Sequence, residues 1–399
     1  MSPTDAAAPT QAAGSPESLA RRARRVLSPV RLIFLVHRWL GIGLGILMAV
    51  WCLSGFVMMY VGYPEMTEPD RRAGLAPIDW STCCTTPTWL ALGGEEVRSA
   101  RIEMRAGLPL MYWRDGAGAA HVTNLATGGD APPVDAAAAR AIASDYAARL
   151  GLAGAPADTE TLAYDQWTML PAVRALGPFF KVNLDDDAGS QIYVSSGSGA
   201  VAAATSARER FWNWPGAVTH WLYFTELRKR SDTWYWFVVW TSLLGCFLTG
   251  TGLYTGIRMF GRGRRQFSPY RGFSYVHHLA GLGFGLLAFT WVGSGLVSMN
   301  PWGFLEGQGA RDEVARLQGG PAPSADVVGL LRALSANPPR DTAGGVVQIE
   351  LQRLLGETGV IIYRADGSVA RLDPRTLAPA PLGEDALARA AVVMLGEDA

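Results

Sequence analysis

Charged residues are scarce in this 399-residue chain, at 18 % of its length, and its 35 basic side chains are balanced by 35 acidic ones. Since an average soluble domain carries about 25 % charged residues, this scarcity argues against an ordinary cytosolic enzyme. The balanced charge gives no reason to expect nucleic acid as a partner. A hydrophobic content of 49 % excludes a disordered chain, which would combine low hydrophobicity with high net charge.

Cysteine is also scarce, and four residues in a chain of this length exclude a disulfide scaffold. Cys52 and Cys246 lie in apolar runs, where a thiol is usually a small buried hydrophobic group. Cys83 and Cys84 are adjacent, and adjacent cysteines rarely bridge because a disulfide needs well-separated Cα atoms. We therefore expect Cys83 and Cys84 to be unpaired or bridged elsewhere.

Motifs of soluble enzymes are missing as well. The sequence has no Rossmann-type glycine motif after a strand, no P-loop, no Gly-x-Ser-x-Gly, no His-Glu-x-x-His and no Cys-x-x-Cys. The acidic run Asp185, Asp186 and Asp187 fits a solvated turn, with weak cation binding as the alternative. Soluble hydrolase chemistry therefore has no visible nucleophile or base.

Long uncharged runs, by contrast, are present. Runs of 25, 24 and 21 residues at 39–63, 234–257 and 279–299 carry no charge, and a membrane-spanning helix needs about 20 apolar residues. The 14 tryptophans fit this interpretation, because tryptophan gathers at membrane–water interfaces. We predict transmembrane helices at 31–63, 233–258 and 277–299, the first being too long for a signal peptide.

Arginines beside these spans predict the orientation. They lie in the N-terminal flank of the first uncharged run and in the short connection after the second run: Arg21, Arg22, Arg24, Arg25 and Arg31, then Arg258, Arg262, Arg264, Arg265 and Arg271. Because basic residues concentrate in cytoplasmic flanks, we expect a cytoplasmic N-terminus and an extracytoplasmic C-terminus. The segments 64–210 and 300–399 would then be extracytoplasmic. Residues 1–30 are expected to form a disordered basic tail, and 211–232 an aromatic interfacial segment.

The first and third spans repeat each other. HRWLGIGLGILMAVWCLSGFVMM, from His37, aligns with HHLAGLGFGLLAFTWVGSGLVSM, from His277, with ten identities in 23 positions. Generic apolar composition would not place histidine, glycine, tryptophan and serine in register. Both helices are expected to run outward, so this is a parallel repeat.

The segments that follow these two spans repeat too. RIEMRAGLPLMYWRDG at 101–116 resembles QIELQRLLGETGVIIYRADG at 348–367, and both alternate apolar and polar residues before an Asp-Gly turn, which is typical of strands and hairpins. An alanine-rich helix is expected after each, capped by Asp135 and Asp385 respectively. Beyond this helix only the first unit continues. It contains KVNLDDDAGSQIYVSSGSGAV and then WNWPGAVTHWLYF, which precedes the second span. The second unit is therefore expected to be incomplete, without a fourth span.

Together, HRWLGIGLG and HHLAGLGFG with their following Ser-Gly pairs, the KVNLDDDAGSQIYVSSGSGAV strand pair and WNWPGAVTHWLYF resemble the PepSY-associated transmembrane family. The resemblance covers most of the chain. It implies a bacterial inner-membrane protein with small PepSY-like extracytoplasmic domains. With the spans predicted above, the expected fold is a transmembrane bundle of three spans with α+β PepSY-like extracytoplasmic domains, which departs from the four-span members of the family. Some members of that family are iron-regulated, and some are haem-containing reductases of ferric siderophores.

Two of the five histidines, His37 and His277, begin the first and third spans. Residues four apart share a helix face, so each histidine heads a stripe of small residues. The stripes are His37, Gly41 and Gly45 in the first span, and His277, Gly281 and Gly285 in the third. Two imidazoles at one depth beside small residues predict axial ligation of haem b. The alternative is helix packing through glycine, with the histidines as interfacial anchors.

The other histidines are weaker candidates. His278 is either an alternative ligand or an interfacial residue. His220, before the second span, is placed to ligate a second, outer haem, but no histidine of this chain is expected to pair with it. His121 lies in a strand-and-turn region, where a surface role is expected.

Three functions remain open from the sequence. The first is haem-linked electron transfer to an extracytoplasmic acceptor such as a ferric chelate, as in a ferric siderophore reductase. The second is a non-enzymatic membrane anchor whose PepSY-like domains bind a periplasmic protein or peptide. The third is a subunit of a homo- or hetero-oligomer that completes the fourth span.

Overall fold

The computed structural model describes residues 28–262, 267–305, 310–339 and 344–395. Four arginines of the expected basic tail, Arg21, Arg22, Arg24 and Arg25, lie outside the described residues, as does nearly all of segment 1–30. Arg264 and Arg265 of the predicted basic loop lie outside them too.

The described residues form helices and antiparallel strands. The helices are α1 (Pro29–Met58), α2 (Glu68–Ala73), α3 (Thr88–Ala91), α4 (Ala136–Arg149), α5 (Pro171–Arg174), α6 (Ala207–Asn213), α7 (Thr225–Arg228), α8 (Ser231–Met259), α9 (Phe273–Ser298), α10 (Ala310–Gln318), α11 (Ser324–Ala336) and α12 (Glu384–Leu395). The strands are β1 (Glu96–Arg105), β2 (Leu108–Asp115), β3 (Ala120–Asn124), β4 (Gly129–Asp130), β5 (Ala155–Leu162), β6 (Phe179–Asp185), β7 (Gln191–Ser195), β8 (Val201–Thr205), β9 (Ala322–Pro323), β10 (Val346–Leu354), β11 (Glu357–Arg364) and β12 (Val369–Leu372).

The chain divides into two compact units. Met1–Leu53 and Arg230–Leu305 form what we call the helical unit, and Ser54–Lys229 and Glu306–Ala399 form the sheet unit. Three helices, α1, α8 and α9, are long and apolar enough to cross a membrane, as the sequence predicts. The combination of such helices with antiparallel sheets agrees with the expected class, a transmembrane helical protein with α+β domains.

Within the helical unit, α8 and α9 pack along each other at small residues. A Cβ built on Gly285 would lie 2.7 Å from Leu253 Cδ2, and one built on Gly245 would lie 3.1 Å from Val292 Cγ1. These two glycines therefore serve close helix packing. Helix α1 ends at Met58, before the predicted end of the first span at residue 63. Gly62 and Tyr63, the residue before Pro64, lie shortly after this helix end, and both positions disfavour helical backbone.

The first sheet of the sheet unit joins the two sequence repeats. Its strand order is β12-β11-β10-β1-β2-β3-β4, with β9 beside β1. Strands β1 and β10 begin the two repeats and pair antiparallel, with Arg101 opposite Glu350. The two-residue turns after them adopt the same left-handed conformation, at φ 46° and 81° for Ala106 and Gly107 and 51° and 79° for Leu355 and Gly356. Such turns match the twist of a hairpin.

The second sheet has the order β5-β6-β7-β8 and is covered by α4. Helix α4 buries one stripe, consisting of Ala139, Ile142, Ala143, Tyr146 and Ala147. The side chain of Asp135 accepts a hydrogen bond from Ala138 N at 2.7 Å, as expected of a cap. The acidic run lies at the β6–β7 turn, where Asp186 accepts a bond from Ser190 N at 2.8 Å. That bond lowers the pKa of Asp186.

Two expectations about this unit were wrong. Helix α12 begins at Glu384, so Asp385 lies inside its first turn and is not the residue before it. Cys83 and Cys84 form a disulfide with each other. The peptide bond between them is cis, and their Cα atoms are 3.1 Å apart. The expectation required well-separated Cα atoms, and this pair bridges without them.

The predicted aromatic segment 211–232 contains the end of α6, a wide helical turn at Trp214–Val218, and α7. Phe211, Trp212 and Trp214 are exposed, at 66 %, 43 % and 47 % of their surface. Asn213 is buried and donates a hydrogen bond from Nδ2 to Gly62 O at 3.0 Å. This bond fixes α6 to the segment that follows α1.

Candidate functional site

A cavity of about 1020 Å³ lies among α1, α8 and α9 of the helical unit. Pockets for small molecules and cofactors usually measure about 300–1,000 Å³, so this one is large enough for a cofactor. Both stripes predicted from the sequence line it: His37, Gly41 and Gly45 on α1, and His277, Gly281 and Gly285 on α9. The structure therefore brings these six residues to one site.

The imidazole rings of His37 and His277 are close together. Their centroids are 6.2 Å apart, and the ring planes are tilted by 32°. A metal–imidazole bond is about 2.1 Å long and a ring nitrogen is about 1.2 Å from its ring centre, so two imidazoles on opposite sides of one metal have centroids about 6.5 Å apart. The observed separation would let both imidazoles hold a single metal.

A hydrogen bond orients the His37 ring. Its Nδ1 donates to the carbonyl oxygen of Leu248 at 3.1 Å. Because a carbonyl only accepts, Nδ1 must carry the proton, and the lone pair of the neutral ring is then on Nε2. Metal-binding histidines are commonly oriented by such a bond from their other nitrogen. Gly252 makes room for the ring, since a Cβ there would lie 2.8 Å from His37 Cε1.

His277 is less constrained than His37. Within the described part of the chain it makes no hydrogen bond, and its ring lies beside the His37 ring. Its nitrogens are therefore available to a ligand. Together, one oriented and one uncommitted imidazole form a pair with two donor atoms for a metal.

The stripe glycines differ in what surrounds them. A Cβ on Gly45 or Gly281 would meet nothing within 4 Å, and one on Gly41 would reach only Leu248 Cδ1 at 3.8 Å. Gly285, by contrast, lies directly against Leu253. Glycines that serve packing contact a neighbouring helix, so packing explains Gly285 but not the open space over Gly45 and Gly281.

His278 lines the same cavity but has both nitrogens in use. Nε2 donates to Gly256 O at 2.8 Å, so Nδ1 must accept from Ser268 Oγ at 2.7 Å. The side chain is buried, at 6 % exposed. This pairing connects α9 to the end of α8 and to the segment that follows, and it leaves no nitrogen for a metal.

The remaining two histidines belong to the sheet unit and are not among the cavity-lining residues. His220 Nδ1 lies 3.2 Å from Ser54 Oγ. His121 Nε2 donates to Asp115 Oδ2 at 3.0 Å and stacks on Trp113 at a centroid distance of 4.4 Å. That hydrogen bond lowers the pKa of the Asp115 carboxyl group. His121 is exposed, as expected of a surface residue.

Several residues of the cavity were not identified from the sequence. Gly252 and Gly256 are four residues apart on α8, and this spacing was the available signal. Arg31 and Arg38 also line the cavity, and they are seven residues apart on α1. The contribution of Leu248 is a backbone carbonyl, which no side-chain pattern reveals.

A buried ion pair is the main electrostatic feature of the sheet unit. Arg71 Nη1 is 2.7 Å from Glu103 Oε2, and the two side chains are 8 % and 3 % exposed. Arg71 Nη2 also donates to Gln348 Oε1 at 3.2 Å. Gln348 is on β10 and Glu103 is on β1, so Arg71 connects both repeats across the first sheet.

In comparisons with known proteins, no family model matches the chain, and no curated protein or solved structure matches it either.

Proposed function

We propose that this chain is a bacterial inner-membrane protein of the PepSY-associated type that binds haem b and transfers electrons to an extracytoplasmic acceptor such as a ferric chelate. The observation that carries the proposal is the His37–His277 pair, with centroids 6.2 Å apart in a cavity of about 1020 Å³. Bound haem supplies one-electron redox chemistry.

The protein residues have distinct roles in this proposal. His37 and His277 would hold the haem iron, and the Leu248 carbonyl orients the His37 ring. Gly45 and Gly281 leave space for a flat macrocycle beside the helices. His278 supports α9 through its own hydrogen bonds and does not bind the iron.

A metal ion held by protein groups alone is a poorer fit. Among the described residues, no group of three or more His, Cys, Asp or Glu side chains could hold a metal ion. Two imidazoles are too few ligands for a stable protein-only site. A macrocycle supplies the other ligands itself, which is why haem fits this pair better than a free ion.

The absorption spectrum of the full-length protein, purified in detergent after expression with haem supplied, tests the proposal. We expect a Soret band and the low-spin spectrum of two histidine ligands. His37→Ala and His277→Ala should each remove the low-spin spectrum, because each deletes an axial ligand. His121→Ala is the matched control and should leave the spectrum unchanged, since His121 does not line the cavity.

Two results would overturn the proposal. One is a purified wild-type protein without a Soret band. The other is a spectrum that survives both substitutions, which would place any haem elsewhere. A protein without haem would instead support a non-enzymatic anchor for a periplasmic partner.

A further inference from the structure

Two arginines line the cavity together with the histidine pair. Arg31 and Arg38 are both on α1, seven residues apart, so they lie on one helix face about 10 Å apart along the axis. Arg38 directly follows His37 in the chain. Both side chains are exposed. The cavity therefore has a cationic end next to its imidazoles and an apolar end at Gly45.

Within the described residues, no carboxylate balances these two charges. The cavity-lining residues of the described chain include no Asp or Glu, and neither arginine forms an ion pair with a described residue. The guanidinium carbon of Arg38 lies 5.9 Å from the centre of the Trp39 ring. Two guanidinium groups without a counter-charge, beside an apolar cavity, suit a ligand that is apolar with acidic groups on one edge.

We propose that Arg31 and Arg38 bind the two carboxylates of the tetrapyrrole that His37 and His277 hold, and thereby fix which edge of the ring points to this end of the cavity. This inference rests on the proposed function. Guanidinium groups pair with carboxylates through two parallel hydrogen bonds, which gives direction as well as affinity. Lipid phosphates also present anionic oxygen atoms to guanidinium groups. Measurements in anionic-lipid nanodiscs distinguish lipid phosphates from the tetrapyrrole carboxylates.

The test compares haemin with haemin dimethyl ester, whose carboxylates are neutralised. Full-length protein from a haem-deficient host is titrated with each compound and followed by the Soret band. Hydrogen bonds to charged groups each contribute about tenfold or more to affinity. We expect wild-type protein to bind haemin at least about tenfold more tightly than the ester. The double variant Arg31→Gln/Arg38→Gln should bind both compounds equally, at the affinity of the ester.

Arg258→Gln is the matched control. Arg258 is an exposed arginine in the last turn of α8 that is not among the cavity-lining residues. Its substitution removes one positive charge near a span and should leave the preference for haemin intact. Loss of that preference in this control would show that net charge, and not position, is responsible, and would overturn the inference.

The remaining outcomes are also decisive. Equal binding of haemin and the ester by wild-type protein overturns the inference while leaving the proposed function in place. An effect of Arg31→Gln/Arg38→Gln that appears only in anionic-lipid nanodiscs assigns the arginines to lipid phosphates and also overturns it. If wild-type protein binds neither compound, the proposed function itself fails. Should the double variant not insert, Arg31→Gln and Arg38→Gln are titrated singly, and a preference for haemin that is unchanged in both overturns the inference.

Discussion

The rings of His37 and His277 lie with their centroids 6.2 Å apart, although 240 residues separate them in the chain. They occupy equivalent positions of an internal repeat, His37 in the third turn of α1 and His277 in the second turn of α9. A parallel repeat places equivalent residues at equal heights. The pair is therefore a direct consequence of the repeat and of the packing of both helices around α8.

Filling the cavity should exclude the macrocycle without unfolding the helices. A Cβ on Gly45 meets nothing within 4 Å, so Gly45→Leu should be accepted by the apoprotein but should lower haem content several-fold. Haem per chain and the thermal transition of the apoprotein are the measurements. Gly43→Leu is the matched control, because Gly43 also has open space but does not line the cavity. Equal haem content in the two variants would contradict a cofactor in this position.

Reporter fusions should reveal the orientation of the spans. Alkaline phosphatase fused after residue 399 should be active in a bacterial host, and the same enzyme fused at Arg264 should be inactive. The reason is that arginine-rich flanks remain in the cytoplasm, whereas alkaline phosphatase needs an oxidising compartment for its disulfides. The reverse pattern of activities would reject the orientation predicted from charge.

Breaking the buried Arg71–Glu103 pair should strongly destabilise the sheet unit. Arg71→Met leaves Glu103, which is 3 % exposed, with Arg101 at 3.2 Å as its remaining ion-pair partner, and should lower the free energy of unfolding by about 3 kcal/mol. Arg149→Met removes an exposed pair with Asp145 and should cost about 1 kcal/mol or less. Denaturant unfolding of the full chain in detergent, followed by circular dichroism, measures both. A similar loss of unfolding free energy in the two variants would show that burial of an ion pair does not determine how strongly its removal destabilises the protein.

Ionisation of Tyr146 should couple stability to alkaline pH. Burial raises the pKa of Tyr146 to about 12 from an ordinary value of 10.0. The unfolded chain therefore loses this proton first, so the contribution of Tyr146 is complete below pH 10 and is lost as the pH rises through about 12. Thermal stability measured across this range should fall less steeply in Tyr146→Phe than in wild type. Parallel curves for the two proteins would contradict the shifted pKa.

The sequence by itself determined the local elements. Uninterrupted apolar runs predict α1, α8 and α9, because a long uncharged segment satisfies its backbone only as a helix in lipid. Alternating strands with Asp-Gly turns predict the repeated hairpins, and the structure forms an equivalent hairpin in each repeat, at β1–β2 and at β10–β11. The His–Gly stripes were visible in the same way, because residues four apart share a helix face.

The tertiary structure decided which of these elements meet. No local pattern shows that β1 pairs with β10, or that the carbonyl of Leu248 orients His37, because both contacts join segments far apart in the chain. The repeat alignment favours His277 over His278, and the structure adds the reason that Ser268 and Gly256 occupy the nitrogens of His278. The periodic pattern of apolar residues in the sequence specifies whether a segment is a helix or a strand and which of its faces is buried. Hydrogen bonds and open space between elements depend on packing, and packing exists only in the folded chain.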